Sequence, residues 1–162
     1  MSDHKRWIVD AAASTFTFTA RGFWGLGPAT GTLPVESGEA TTRDGVITSG
    51  EIILSAASLA TGNRQRDKHL RSRAFFGVEH HPRVLFRVTD QTTADQIHGH
   101  AVVKDTAVPM QLPISVTEDG ASMTVHGEVE IDRDAVGLGH SPLGTIVGPA
   151  KVVATISLRK AR

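Results

Sequence analysis

Between Met123 and Asp132 the side chains alternate in character. Met123, Val125, Val129 and Ile131 are apolar, while Thr124, His126, Glu128, Glu130 and Asp132 are polar or charged. A strand turns successive side chains to opposite faces, whereas a helix would scatter this pattern around its axis. The stretch therefore reads as a strand with one dry and one wet face, and the same period of two recurs along the chain. Phe16, Phe18 and Ala20 alternate with Thr15, Thr17 and Thr19. Val84, Phe86 and Val88 alternate with Leu85, Arg87 and Thr89, and Met110, Leu112, Ile114 and Val116 with Gln111, Pro113, Ser115 and Thr117. Val46–Ala56, Gln96–Lys104 and a last stretch carrying Val152, Ala154, Ile156 and Leu158 complete the set.

Turn chemistry separates these stretches. Arg43-Asp44-Gly45 and Glu118-Asp119-Gly120 are turn signals, and His80-His81 before Pro82 marks a loop. The glycine- and proline-rich run from Gly22 to Gly38 suits a bent rim segment anchored by Trp24 and Leu33, and Gly137–Gly148 reads as a link into the last strand. Seven or eight antiparallel strands argue for an all-β barrel or sandwich. A single charged excursion in mid-chain favours a barrel of about eight strands with a covered mouth. At 162 residues the chain is read as one domain, 1–162, with a short helical insert near residues 58–72.

That excursion, Thr61–Phe76, packs Arg64, Arg66, Lys68, Arg71 and Arg73 around Asp67 and His69, and ends in Phe75-Phe76. If Arg64–Ser72 is helical, Asp67 and Arg71 are neighbours one turn apart. One reading is a polar lid over an apolar hole, with Arg66, Asp67, His69 and Arg71 meeting the polar end of a ligand. The other is that these charges only fasten the helix to the barrel, with Leu70 and Phe75 as pegs.

Composition excludes several classes. Seventeen cations balance seventeen acids, so no overall charge points to nucleic acid. There is no cysteine, hence no disulfide framework, thiolate metal site or cysteine nucleophile. No run is apolar and long enough for a signal peptide or a membrane span, which places the expected protein in the cytoplasm. His98 and His100 share a strand face, a geometry metals can use, but the stripe also reads as solvated. No phosphate-binding glycine loop or nucleophile elbow occurs. A small hydrolase or lyase using Asp67 and His69 is the alternative to a binding module, and it lacks a recognisable nucleophile.

The interior face carries more information. Phe16, Phe18, Trp24, Leu54, Leu70, Phe75, Phe76, Phe86, Leu112, Ile114, Val125 and Ile156 are the expected wall of an apolar cavity. An eight-stranded barrel is just wide enough either to be filled by side chains or to hold one slim ligand. Ala20, Gly50, Ala56, Ala101, Gly127 and Ala154, at alternating positions, fill a barrel poorly.

Taken together the motifs resemble the YceI-like family of lipid-binding barrels. They are W-x-V-D at Trp7–Asp10, F-x-F at Phe16–Phe18, S-x-x-T-G-N at Ser58–Asn63 running into R-D-K-H-L-R-S at Arg66–Ser72, then Phe75-Phe76, H-P-R-V-L-F at His81–Phe86 and I-D-R-D at Ile131–Asp134. The resemblance implies a lipocalin-like barrel that binds a polyisoprenoid, an isoprenoid quinone or a fatty acid without covalent chemistry. It implies no other cofactor and no metal, and it leaves room for a homodimer.

Overall fold

The alternating stretches form strands, and the strands join edge to edge into one antiparallel sheet that closes on itself. The computed structural model describes residues 3–21, 29–73, 75–89, 93–132 and 147–161. In chain order the strands are β1 His4–Val9, β2 Thr15–Arg21, β3 Ala29–Thr32, β4 Val35–Arg43, β5 Val46–Ser55, β6 Arg83–Val88, β7 Gln96–Val103, β8 Thr106–Asp119, β9 Ser122–Ile131 and β10 Val147–Lys160, with one helix, α1 Arg64–Arg71, between β5 and β6. The order around the barrel is β1-β4-β5-β6-β7-β8-β9-β10, and β10 returns to β1. No helix among the described residues is long and apolar enough to cross a membrane.

Ten strands fill eight positions because two positions are occupied by broken strands. β1 and β2 lie along the same edge of β10: Trp7–Val9 face Lys160–Leu158, and Thr15–Arg21 face Thr155–Val147. The break between them is a single 3-10 turn, Ala11–Ala13, whose N-cap Asp10 accepts a hydrogen bond from the Ala13 N–H. β3 and β4 are likewise interrupted at Leu33-Pro34, where proline has no N–H to give the ladder. The β4–β5 hairpin turns at Asp44 and Gly45, both with positive φ (52° and 83°), the geometry that favours Asp-Gly.

β8 changes partners half-way. Thr106–Pro113 pairs with β7, and Ile114–Asp119 pairs with β9. The Ile114 N–H donates to the Asp95 carbonyl on the β7 side at 3.0 Å, so the backbone of Pro113 addresses β9. A proline cannot donate there, and the β8–β9 ladder stops at the Ile114–Gly127 pair.

The insert lies at one end of the barrel, with the end of β5, the start of β6 and the Lys104-Asp105 turn. The chain start, the Asp44-Gly45 turn and the β8–β9 turn lie at the other. There Lys5 bridges to Glu118 at 3.0 Å. The hydrogen-bonded Glu118 carboxylate holds the Lys5 ammonium above its ordinary pKa.

Burial along the barrel axis is uneven. At the end away from α1, Trp7, Thr42, Ile47, Ile97, Met123 and Leu158 are buried, and the indole N–H of Trp7 donates to the Thr42 hydroxyl at 2.9 Å. At the helix end Leu33, Leu54, Ala56, Leu59, Leu70, Phe75 and Phe76 are buried. Between these two plugs Phe16, Phe18, Ile52, Phe86, Leu112, Ile114, Val125 and Ile156 pack against the core yet remain partly exposed. These side chains border an apolar hollow inside the barrel. The barrel is filled at its ends and hollow at its waist.

Seven of the strands follow the stretches read from sequence; β1, β3 and β4 are additional, and β3 with the start of β4 lies in the Gly22–Gly38 run expected as a bent rim segment. Among the described residues α-helix is confined to Arg64–Arg71, within the insert expected near 58–72. Trp24 and residues 137–146 of the expected link lie outside the described residues, while Val147 and Gly148 open β10.

Candidate ligand-binding cavity

The hollow waist is a cavity of about 270 Å³. Its wall follows from the strand period: along each strand every second residue points inward. Phe16, Phe18, Leu54, Phe86, Leu112, Ile114, Val125 and Ile156 border it from the strands, and Leu70, Phe75 and Phe76 from the insert. Trp24, the twelfth residue of the expected wall, is not among the described residues. Val9, Ala20, Leu33, Ile52, Val84, Val129 and Ile131 also border the cavity. All of these except Leu33 sit in the alternating strands, so their period was the available signal.

Small residues open the space. Gly127 lies on the inward face of β9, and a Cβ there would meet the Pro113 carbonyl oxygen at 3.3 Å and Ile114 Cγ2 at 3.6 Å. Leucine or phenylalanine at that position would occupy the cavity itself. Three glutamates border the cavity from outward-facing strand positions. The carboxylate of Glu39 pairs with Arg6 at 3.0 Å, that of Glu51 pairs with Arg87 at 2.7 Å, and Glu128 is exposed. The inward side chains are hydrocarbon, aromatic or thioether, so the site offers burial of apolar surface and little else.

The insert closes the helix end of this cavity. Asn63 caps α1 by accepting the Arg66 N–H at 3.0 Å. Asp67 and Leu70, one turn apart on the inner face, are buried. The Asp67 carboxylate accepts both the Thr61 N–H (2.8 Å) and the Thr61 hydroxyl (2.5 Å). Arg66 donates to the Thr61 hydroxyl at 2.9 Å and to its carbonyl at 2.8 Å, and Arg71 donates to the Leu59 carbonyl at 2.6 Å. His69 is half-buried, its ring edge-on to Phe75 with centroids 5.0 Å apart. None of Arg66, Asp67, His69 and Arg71 borders the cavity. Three of them bond to the Leu59–Thr61 loop that leads into the helix, and Ala60 in that loop exchanges two backbone hydrogen bonds with Thr32 of β3. Thr61, the threonine of the S-x-x-T-G-N motif, to which the sequence assigned no role, is the hub of this network.

The remaining candidates lie apart. His98 and His100 are on the outer face of β7, with His98 Nε2 3.3 Å from the Gln96 side-chain oxygen. His81 faces Asp105 at 3.3 Å, tying the end of the insert to the β7–β8 turn.

Solved structures of the same shape exist. BcnA of Burkholderia cenocepacia superposes with a TM-score of 0.73 at 16% identity, covering 92% of this chain and 98% of that one. A polyisoprenoid binding domain from Saccharophagus degradans, implicated in plant cell wall breakdown, superposes with a TM-score of 0.72 at 14% identity over 96% of this chain and 98% of that one. The YceI protein of Campylobacter jejuni gives 0.56 at 15% identity, over 72% and 74% of the two chains. At such identities the likeness establishes the fold. Among curated proteins none matches the chain in sequence. The YceI-like domain model, in contrast, matches residues 7–159, nearly the full length, and the chain belongs to the YceI-like family.

Proposed function

We propose that the protein binds, and so sequesters or carries, one long-chain amphiphile such as a polyisoprenoid, an isoprenoid quinone or a fatty acid, with the tail in the cavity and no covalent chemistry. The observation that carries this reading is the hollow apolar waist between two packed ends. A void walled by hydrocarbon forfeits contacts that a filled core would make, and an apolar guest restores them. The description of the Saccharophagus degradans neighbour as polyisoprenoid-binding is consistent with that guest.

Affinity should follow tail length. A drug-sized ligand gains roughly 0.3 kcal/mol per heavy atom, so an isoprene unit of about five carbons contributes about 1.5 kcal/mol, roughly a twelvefold factor. At about 270 Å³ the cavity is slim beside the ~300–1,000 Å³ of typical ligand pockets. Affinity for a series of prenols is therefore expected to climb by about an order of magnitude per unit and then level off once the tail outgrows the barrel. Native mass spectrometry of protein purified from cells should show a co-purified lipid. Recovery of empty protein together with a flat prenol series would end this reading.

In this proposal Arg66, Asp67, His69 and Arg71 hold the lid in place and contact a head group little. Arg71→Ala should lower the melting temperature and weaken a prenyl pyrophosphate and a neutral prenol of equal length by the same factor. A loss of tenfold or more confined to the pyrophosphate, the scale of one charged hydrogen bond, would instead assign Arg71 to the head group.

A further inference from the structure

The helix that closes the cavity has a second face. Asp67 and Leu70 point inward, while Arg64, Gln65 and Lys68 are exposed, with Arg64 and Lys68 one turn apart on the same side. Arg73, just past the Ser72 cap, is exposed as well. Four cations of the barrel wall have acidic partners, Lys5 with Glu118, Arg6 with Glu39, Arg83 with Glu36 and Arg87 with Glu51. Arg64, Lys68 and Arg73 have no ion-pair partner among the described residues, and the only acid of the helix is turned inward onto Thr61.

The charge is also unevenly shared. Residues 57–82, the insert and its flanks, hold five cations against two acids. The chain is neutral overall, so the rest carries twelve cations against fifteen acids. The insert is thus net positive, and the rest of the chain carries the compensating negative charge.

Resting on the proposed function, we infer that the outer face of α1 docks the protein on an anionic lipid surface, helix end first. A long-chain amphiphile is barely soluble in water, and a carrier must meet it at a membrane. Three exposed cations on one side of the insert match lipid phosphates, and their attraction turns the helix end towards the surface. That orientation brings Leu70, Phe75 and Phe76, the inner lining of the lid, closest to the bilayer. Each cation near an anionic surface contributes about a fivefold factor in partition, and three together about a hundredfold.

The test is sedimentation with phosphatidylcholine vesicles, with and without phosphatidylglycerol, at roughly 0.02 M and roughly 0.5 M salt. Wild-type protein should sediment with the anionic vesicles at low salt, leave them at high salt and ignore the neutral ones. The Arg64→Gln/Lys68→Gln/Arg73→Gln variant should partition about a hundredfold less, with its melting temperature and its affinity for a soluble fluorescent fatty acid unchanged. An Arg159→Gln/Lys160→Gln variant, altered at the opposite end, should sediment like wild type. Docking is overturned if wild-type protein stays in solution with anionic vesicles, if it binds neutral vesicles equally, or if the triple variant sediments undiminished. Uptake of the fluorescent fatty acid by wild-type protein reports separately on the cavity. Absent uptake would overturn the binding function, whereas normal uptake without sedimentation overturns docking alone.

Discussion

Trp7→Ala is expected to cost about 3–5 kcal/mol of folding stability, the range for deleting a large aromatic from a packed site. In a chain of this length that corresponds to a fall in melting temperature of about 6–20 °C. Trp7 is fully buried at the end away from the helix, and its strand closes the barrel between β4 and β10. Among the described residues three ladder pairs, Trp7–Lys160, Ile8–Arg159 and Val9–Leu158, join β1 to β10, flanked by the Asp10–Ser157 and Ala161–Arg6 backbone hydrogen bonds, so side-chain packing there supports a short seam. The indole also satisfies the buried Thr42 hydroxyl at 2.9 Å. Trp7→Phe keeps much of the volume but removes that donor, at an expected cost of about 1–3 kcal/mol. Adding Thr42→Val to Trp7→Phe should recover part of the loss, because both ends of the broken hydrogen bond are then apolar. Thermal and urea denaturation followed by circular dichroism measure all three. A loss below about 1 kcal/mol for Trp7→Ala would mean that the plug does not hold the seam.

Filling the cavity should abolish tight retention while leaving the barrel folded. Ile114→Trp adds about six heavy atoms and Gly127→Leu about four, together the bulk of about two isoprene units, or about 3 kcal/mol of tail contacts. The double variant is expected to bind a long prenol about 150-fold more weakly than wild type, and a prenol two units shorter almost as well as before. Both positions face the hollow, Ile114 half-buried; a Cβ at Gly127 would sit a tight 3.3 Å from the Pro113 carbonyl oxygen, so a few tenths of an ångström of backbone adjustment, and about 1–3 kcal/mol of overpacking, accompany the substitution. Phe18→Trp is a poorer choice. Phe18 already lies against Gly31 so closely that a Cβ on Gly31 would come within 2.5 Å of its ring, and a larger ring there would strain β2 against β3. Titrations of both prenols, with melting temperatures alongside, decide the matter. Unchanged affinity for the long chain would place the tail outside this cavity.

The strand pattern was legible because burial on one face of a sheet imposes a period of two on the residues themselves. Phe16–Phe18, Val84–Val88 and Met123–Ile131 state it without reference to any neighbour. Eight of the eleven described residues expected to line a cavity border one for the same reason, since the inward face of each strand is set by its own alternation, while Leu70, Phe75 and Phe76 reach it from the insert. The helix within Arg64–Ser72 and the Asp-Gly turn at Asp44 were equally local. Hollowness was not. A filled and an empty barrel use the same alternation, and the volume left at the waist depends on how far opposite walls stand apart. Closure through broken strands, with β1 and β2 sharing one edge of β10, is likewise a matter of which edges meet, and no single segment records it. The partners of the charged insert were also beyond the sequence. Asp67 reaches Thr61 and Arg71 reaches the Leu59 carbonyl, because the loop before α1 folds back against them. A sequence tells which residues carry charge, but only the folded chain brings a donor and an acceptor within 3 Å of each other, the distance at which a hydrogen bond forms.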